Sequence, residues 1–522
     1  MSLARTDRVP PRRDRGAAAI PYCCVAFIID NETEIGVPAL HRNSSTSPLV
    51  IVLMSTTLGA CAVGPRFAPP SPPSVRAYTR ATDAPKLEAG GGEVAQRLDP
   101  GAGVATQWWR AFHSPALDRM VDDALAHNPS IAAARATLAG ARQAVIAARG
   151  GRYPQVDLAA TAERQKGPAF ALGLLPARQS LPQFNLYSVG PTVGFDPDVF
   201  GLEARRVEES QAIAAERRDE LAAATLAIEG NTVISTLNVA ALDLQIKAAR
   251  QIVAADARNL SLVRRSFAAG RARRIDVLTA RTRLANDATL LPALGRQLAA
   301  AQDGLAVLQG AFPAAWTPPA IDLDDLRLPA RLPLAVPSAL VRARPDIRAA
   351  ESLLHARSAA VGVATARQYP NIVLSASLAT AGLSPASLFG STSAVWTIAG
   401  GITAPVFHGG ALAARRREAD AQFSQALALY RQTVLAAFGQ VADTLRALGQ
   451  DAALVEDERG ALGAAAAGLE LQRASYAAGR GDVLRLLDAE REFQQARLGY
   501  ARARAQRYVD SAQLFVAMGG AQ

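Results

Sequence analysis

The chain has 522 residues, half of them hydrophobic, with 56 basic against 46 acidic side chains and a formal charge of +10. That length suits two to four ordinary domains or one elongated body, and the only three cysteines lie within the first 61 residues, so no disulfide framework or cysteine metal site holds the main body. The basic residues are scattered among acids, which argues against a nucleic-acid face, and no run of about 18 apolar residues supports a membrane-spanning helix.

The first feature is an apolar run from Pro48 to Ala60, preceded by Arg42, of the size of a signal-peptide hydrophobic region. It ends in Leu58-Gly59-Ala60-Cys61, which resembles a bacterial lipobox: small residues fit the signal peptidase and the thiol accepts a diacylglycerol. Cys61 is the expected lipidation site; its covalent lipid apart, no cofactor or metal is expected. Such a run normally opens a chain, so residues 1–60 are expected to be a signal peptide behind an amino-terminal extension, with translation starting near Val37. Residues 61–107 follow as a lipidated tether, and the prolines at 65, 69, 70, 72 and 73 favour an extended, unpacked chain.

The remainder is a duplicated unit. Residues 128–160 align without a gap on 344–376 at an offset of 216, so that Pro129 meets Pro345, Leu138 meets Leu354, and Tyr153-Pro154 meets Tyr369-Pro370. A second register at an offset of 209 brings SFAAGR at 266–271 onto SYAAGR at 475–480. The repeats are assigned to 108–343 and 344–522, the first ending in a proline-rich connector from Pro313 to Pro345.

Each unit reads as helix, strand pair, long helix, turn and helix. Val156, Leu158, Ala160 and Ala162 alternate with Asp157, Ala159, Thr161 and Glu163, and Ile372, Leu374, Ala376 and Leu378 alternate with Val373, Ser375, Ser377 and Ala379. Further strands are expected around Tyr187, Val189, Val193 and Phe195 and around Trp396, Ile398 and Ile402. Four strands of about ten residues have the length of tilted transmembrane strands. Four cannot close a barrel, so a membrane reading requires several chains to pool them.

No proline interrupts Gly201 to Pro292 or follows Val406, and helix formers dominate both stretches. The helix expected over Leu202–Ser266 alone would be about 100 Å long at 1.5 Å per residue. Gly270 and Gly479 fall where each long helix should turn back. Two hairpins of very long helices, each rooted in a strand pair, describe a molecule that spans a gap.

Enzyme signatures are missing: there is no P-loop, G-x-S-x-G elbow, H-E-x-x-H or C-x-x-C, and the five histidines never pair at ligand spacing. Arg480-Gly481-Asp482 sits at an expected turn and is read as part of it.

The ordered set CAVGPRFAPP, WWRAFHSPALDRMVDDALAHNP, YPQVDL, FDPDVFG, RPDIRAAE and LLDAER, running from Cys61 onward, resembles the NodT-type outer-membrane lipoproteins of tripartite multidrug efflux systems, relatives of TolC. The resemblance implies an α+β membrane protein in which three chains each contribute four strands to a 12-stranded β-barrel, continued by a periplasmic α-helical barrel. It implies an outer-membrane exit duct, passive and not an enzyme, whose partners are two further copies, a periplasmic adaptor, an inner-membrane RND-type pump and outer-membrane lipid, with no nucleic acid. By motif match, Leu484, Asp488 and Arg491 share one helix face and would form the periplasmic gate, with an Asp–Arg link between neighbouring chains. Ala269, Gly270 and Arg271, with Ala478, Gly479 and Arg480, would be the adaptor-docking hairpin tips. Glu490 departs from the family, which often has glutamine there. The alternatives are the outer-membrane component of type I protein secretion, which shares the fold, and a periplasmic structural lipoprotein of coiled helices.

Overall fold

The computed structural model describes residues 62–80, 87, 95–166 and 183–519; Cys61 and the segment before it lie outside these residues. In chain order the elements are β1 (Arg97–Pro100), α1 (Pro115–His127), α2 (Pro129–Gly150), β2 (Gln155–Gln165), β3 (Phe184–Phe195), α3 (Leu202–Ala268), α4 (Arg274–Ala288), α5 (Leu290–Leu308), β4 (Arg331–Leu334), α6 (Pro337–Ala343), α7 (Pro345–Ala366), β5 (Asn371–Gly382), β6 (Ala394–Thr403), α8 (Ala411–Ala477) and α9 (Val483–Ala517). Short 3₁₀ turns lie among them.

Local chemistry sets most of the boundaries. The Ser114 hydroxyl accepts from the Leu117 N–H at the start of α1, the Asn128 side chain accepts from Ser130 N–H at the start of α2, and each helix has proline at its first position, where no donor is needed. The FDPDVFG motif is a helix-starting device. Asp198 turns left-handed and its carboxylate accepts from the N–H groups of Glu203 and Ala204 at 2.8 and 2.7 Å. The Asp482 side chain caps α9 by accepting from Leu484 N–H at 3.1 Å, which accounts for the Arg-Gly-Asp triplet structurally.

Both glycine turns form as the spacing predicts. Gly270 and Gly479 take φ of 71° and 69°. Around them, Arg271 N–H donates to Ser266 O and Gly270 N–H to Phe267 O, while Arg480 and Gly479 donate to Ser475 and Tyr476, the two-bond pattern that closes a helix through a left-handed residue.

The return helices differ from the expected pattern. In the second repeat α9 runs unbroken for 35 residues. In the first, the return parts into α4 and α5 at Thr289, because Pro292 is tolerated only in the first turn of a helix.

The strands form one antiparallel sheet in the order β2-β3-β5-β6. A second, two-stranded parallel sheet of β1 and β4 was not legible in the sequence; it joins the tether to the proline-rich connector. That sheet borders the main core, where Trp108, Phe112 and Leu117 meet Val233 and Leu237 of α3, Leu445 of α8 and Tyr508 and Phe515 of α9.

The tether is extended but not unpacked, which corrects the expectation. Val63 N–H donates to Phe200 O at 3.2 Å, the Arg205 guanidinium donates to the carbonyls of Val63 and Gly64, and Phe67 stacks on His355 with centroids 4.4 Å apart. Prolines deny this segment regular pairing, so side chains and single backbone bonds fasten it. Gly64, at φ 98°, crosses Gly362 so closely that a Cβ would lie 2.5 Å from the Gly362 Cα.

Candidate functional site

The register of the sheet sorts every strand onto two faces. Val156 pairs with Val193, Ala160 with Val189, Val193 with Ala376, Ala376 with Ile398, and Leu378 with Trp396. All the apolar positions named from alternation therefore share one face, and on it Leu158, Trp396, Ile398 and Ile402 are 71 to 77 % exposed. The opposite face carries Asp157, Thr161, Glu163, Ser188, Thr192, Ser375, Ser377 and Thr397 with glycines between them. On that face Thr161 and Ser188 hydroxyls bond at 2.7 Å.

One face thus suits hydrocarbon and the other suits water. Strands of 10 to 12 residues match a tilted crossing of the bilayer. Among the described residues no helix is long and apolar enough to cross a membrane. Among the described residues the outer edges of β2 and β6 have no strand beside them. Unpaired edges are untenable in lipid, where each unsatisfied backbone group is costly.

At the far end the two hairpin tips lie side by side. Ala269 and Arg271 of the first, and Tyr476, Gly481 and Asp482 of the second, line one cavity of about 520 Å³. Gly481 is required there, since a Cβ would lie 2.8 Å from the Tyr476 nitrogen. Gly270, Ala478, Gly479 and Arg480 form the turns themselves.

One helical turn back, Leu484 packs against Leu260, Val263 and Ala280. Asp488 is bonded to Arg283, and Arg491 Nε lies 3.4 Å from Asp287 Oδ2. The three residues share a face, and in the chain it is turned toward the other hairpin. Asp488 and Arg491 thus make their ion pairs within the chain, across α4 and α9, rather than with each other. Glu490 pairs with Arg258 of α3 at 3.0 Å. Behind these pairs Asp256 of α3 is 3 % exposed, and burial, reinforced by its contact with Asp287, pushes its carboxyl up to about 6 against the pull of Arg491 and Arg283.

Sequence reasoning missed Asp256, Arg283 and Asp287. The available signal was charge complementarity: Arg283 and Asp287 are four apart on α4, and Asp488 and Arg491, of opposite order, are three apart on α9. It also missed a carboxyl pair in which both members are buried. Asp451 of α8 and Asp510 of α9 are 7 and 5 % exposed beside Arg507, and burial, then Asp510, pushes Asp451 up to about 8. Arg507 donates from Nε to Gln96 Oε1 at 2.9 Å, and Gln96 Nε2 donates to Ser511 Oγ and Pro329 O. The network ties the tether and connector to the last helix.

Ala62, the residue after Cys61, lies against the start of α3: a Cβ on Gly201 would stand 2.7 Å from its Cα. The described chain therefore begins at the junction of β3 and α3, where the two-faced sheet ends.

The family profile of outer membrane efflux proteins matches residues 120–311 and 336–520. Outer membrane protein OprJ of Pseudomonas aeruginosa is 30 % identical over 480 residues, covering 90 % of this chain and 95 % of that one. Nodulation protein T of Rhizobium leguminosarum bv. viciae is 26 % identical over 474 residues, covering 90 % and 93 %. The solved outer-membrane channel OprN superposes with a TM-score of 0.76 at 28 % identity, covering 88 % of this chain and 99 % of that one. With its two-faced strands and long helical hairpins, the chain belongs to the outer membrane efflux protein family, as a TolC-like channel of the outer membrane.

Proposed function

We propose that three copies of this chain pool their strands into one 12-stranded barrel and their helices into a periplasmic tube, forming the passive exit duct of a tripartite efflux system. The observation that carries this reading is the sheet: an exposed apolar face, a polar and glycine-rich opposite face, and two edges that no strand among the described residues pairs with. The strand order alternates in direction, so β6 of one copy meets β2 of the next antiparallel, as β3 meets β5 within the chain.

In this reading a periplasmic adaptor meets the tips at Ala269–Arg271 and Ala478–Arg480, and an inner-membrane RND-type pump supplies the energy and selects the cargo. Leu484, Asp488 and Arg491 narrow the periplasmic mouth, where the links to Arg283 and Asp287 hold the two hairpins together. A diacylglycerol on Cys61 enters the periplasmic leaflet beside the barrel, because Ala62 is packed at the sheet–helix junction. One acyl attachment is a marginal anchor, so the barrel supplies most of the hold.

The test is protein extracted from the outer membrane, run unheated and heated on denaturing gels and then inserted into planar bilayers. A heat-dissociable trimer that conducts ions supports the duct. A monomer without conductance overturns it.

A further inference from the structure

The apolar face of the sheet changes character with distance from the helices. Along its rungs it passes Ile372 beside Ile402, then Val156, Val193, Ala376 and Ile398, then Leu378 beside Trp396. Beyond these it turns polar: Thr380 lies beside Val189 and Ala394, Tyr187 beside Ala162, and Asn185 beside Arg164. Arg164 thus belongs to the row of Val156, Leu158, Ala160 and Ala162, and Lys166 follows it two residues on, just past the end of β2. Both side chains are exposed.

Charge on β2 is sorted by face. The carboxylates lie on the polar side: Asp157, and Glu163, which accepts from Gln165 Nε2 at 3.0 Å. Arg164 lies on the apolar side. It donates from one guanidinium nitrogen to Gln183 Oε1 at 3.3 Å, and no ion pair of Arg164 or Lys166 occurs among the described residues. The outer rungs of the other three strands bring only neutral residues to this face, Asn185, Tyr187, Thr380 and Ala394.

A cation on a lipid-facing row is costly at mid-bilayer and nearly free at the interface. Arg164 lies eight residues beyond Val156, about 27 Å along a strand and about 20 Å in depth at a tilt of about 40°. The apolar band of an outer-membrane barrel is about 25 Å tall. Because the apolar face begins nearer the helices, at Ile372 and Ile402, the two cations stand at the far edge of that band. Tyr187, one rung below Arg164, is the kind of amphipathic ring that marks such an edge.

We propose that Arg164 and Lys166 bind phosphate groups of the lipopolysaccharide in the outer leaflet. This rests on the duct reading, which puts the helices in the periplasm and this end of the sheet toward the outside. The guanidinium offers paired donors that match a phosphate, and the ammonium adds a point charge. Two residues apart on an extended chain, about 7 Å, they meet on one phosphorylated headgroup. The apolar row leading up to Arg164 lies under the acyl chains of the same lipid, which is what favours a lipid over free phosphate.

The test uses the full chain, extracted from the outer membrane and reconstituted in uncharged phosphatidylcholine vesicles. Fluorescent lipid A carrying both phosphates is titrated in, and binding is read by energy transfer from tryptophan, Trp396 being on the same face. Unlabelled lipid A should displace the probe, dephosphorylated lipid A should do so about tenfold less well, and inorganic phosphate at equal concentration should not. Replacing Arg164→Gln together with Lys166→Gln should weaken binding about tenfold, whereas the exchange of Arg164→Lys with Lys166→Arg should keep it. Arg135→Gln, at an exposed cation on α2, should leave it unchanged. The gel and conductance assays above are run on the same samples. A double glutamine variant that remains a conducting trimer and binds lipid A as the wild type does overturns the site and leaves the duct standing. Displacement by inorganic phosphate as effective as by lipid A overturns the lipid as the ligand. Wild-type protein that is a monomer without conductance overturns the duct, and the site with it.

Discussion

In the first repeat the chain returns from its tip through two helices, α4 and α5; in the second it returns through one, α9. The break after Ala288 lets α5 lie along the flank, where Leu294 packs with Ile246 and Ala249 and Leu305 packs with Met120 and Val239. Unbroken, α9 carries Tyr508 and Phe515 into the main core instead. The outgoing helices, by contrast, are identical in length, with left-handed glycines starting both and closing both turns. Duplication has kept the residues that set the backbone and varied those that choose a neighbour.

The comparison is broken most severely in the sheet. Gly190 of β3 has no room for a side chain, since a Cβ would stand 2.1 Å from the Leu378 carbonyl oxygen, whereas at Gly401 of β6 nothing lies within 4 Å. Gly190→Val is expected to abolish the heat-stable assembly on unheated gels, and Gly401→Ala is expected to leave it intact. Equal effects would show that the β3–β5 approach is not a constraint.

The buried carboxyls Asp256, at the tip end of the first repeat, and Asp451, in the second, come next. Burial holds the folded pKa of Asp451 above its unfolded value of about 4, so the folded chain keeps a proton that the unfolded chain has released. Stability from this group is fully present below about pH 4 and declines as pH rises to about 8. For Asp256 the decline ends near pH 6. Asp451→Asn should flatten the pH dependence of thermal unfolding up to about 8, and Asp256→Asn only up to about 6.

The turn glycines should cost alike. Gly270→Ala and Gly479→Ala each place a side chain at φ near 70° and should lower stability by roughly 1 kcal/mol, measured by chemical denaturation of matched variants. A large difference would mean that the tips are not equivalent.

The smallest thermodynamic effect is expected between hairpins. Arg283 and Asp488 are partly exposed, so a double-mutant cycle should give a coupling below about 1 kcal/mol. The same pair bears on function: replacing Asp488 and Arg491 together with alanine should raise single-channel conductance, and unchanged conductance would count against a gate at that level.

Strand faces, helix lengths, the repeat and both glycine turns were legible because each depends on residues within a few positions of one another. Alternation places Trp396 and Ile398 on opposite faces from Thr397 whatever else the chain does, and a left-handed glycine ends a helix through bonds to its own last turn. The same locality made FDPDVFG readable as a motif, although its role as a cap emerged only from the Asp198 carboxylate bonds.

The gate-level residues were half legible. Spacing put Leu484, Asp488 and Arg491 on one face, but their partners Arg283 and Asp287 lie about two hundred positions away. The tether shows the same limit: five prolines predict an extended chain, yet Gly362, Arg205 and His355 decide that it is held.

By itself the sequence determined the four strands of the antiparallel sheet and the long outgoing helices, where those helices turn, and that the unit occurs twice, since backbone preference and side-chain period act over one or two turns. Only the tertiary structure decided which charges meet, that β1 pairs with β4, and which carboxyls are buried in pairs. Those contacts arise from antiparallel packing of helices far apart in the chain, and a shift of one turn would replace every partner while leaving the local pattern unchanged.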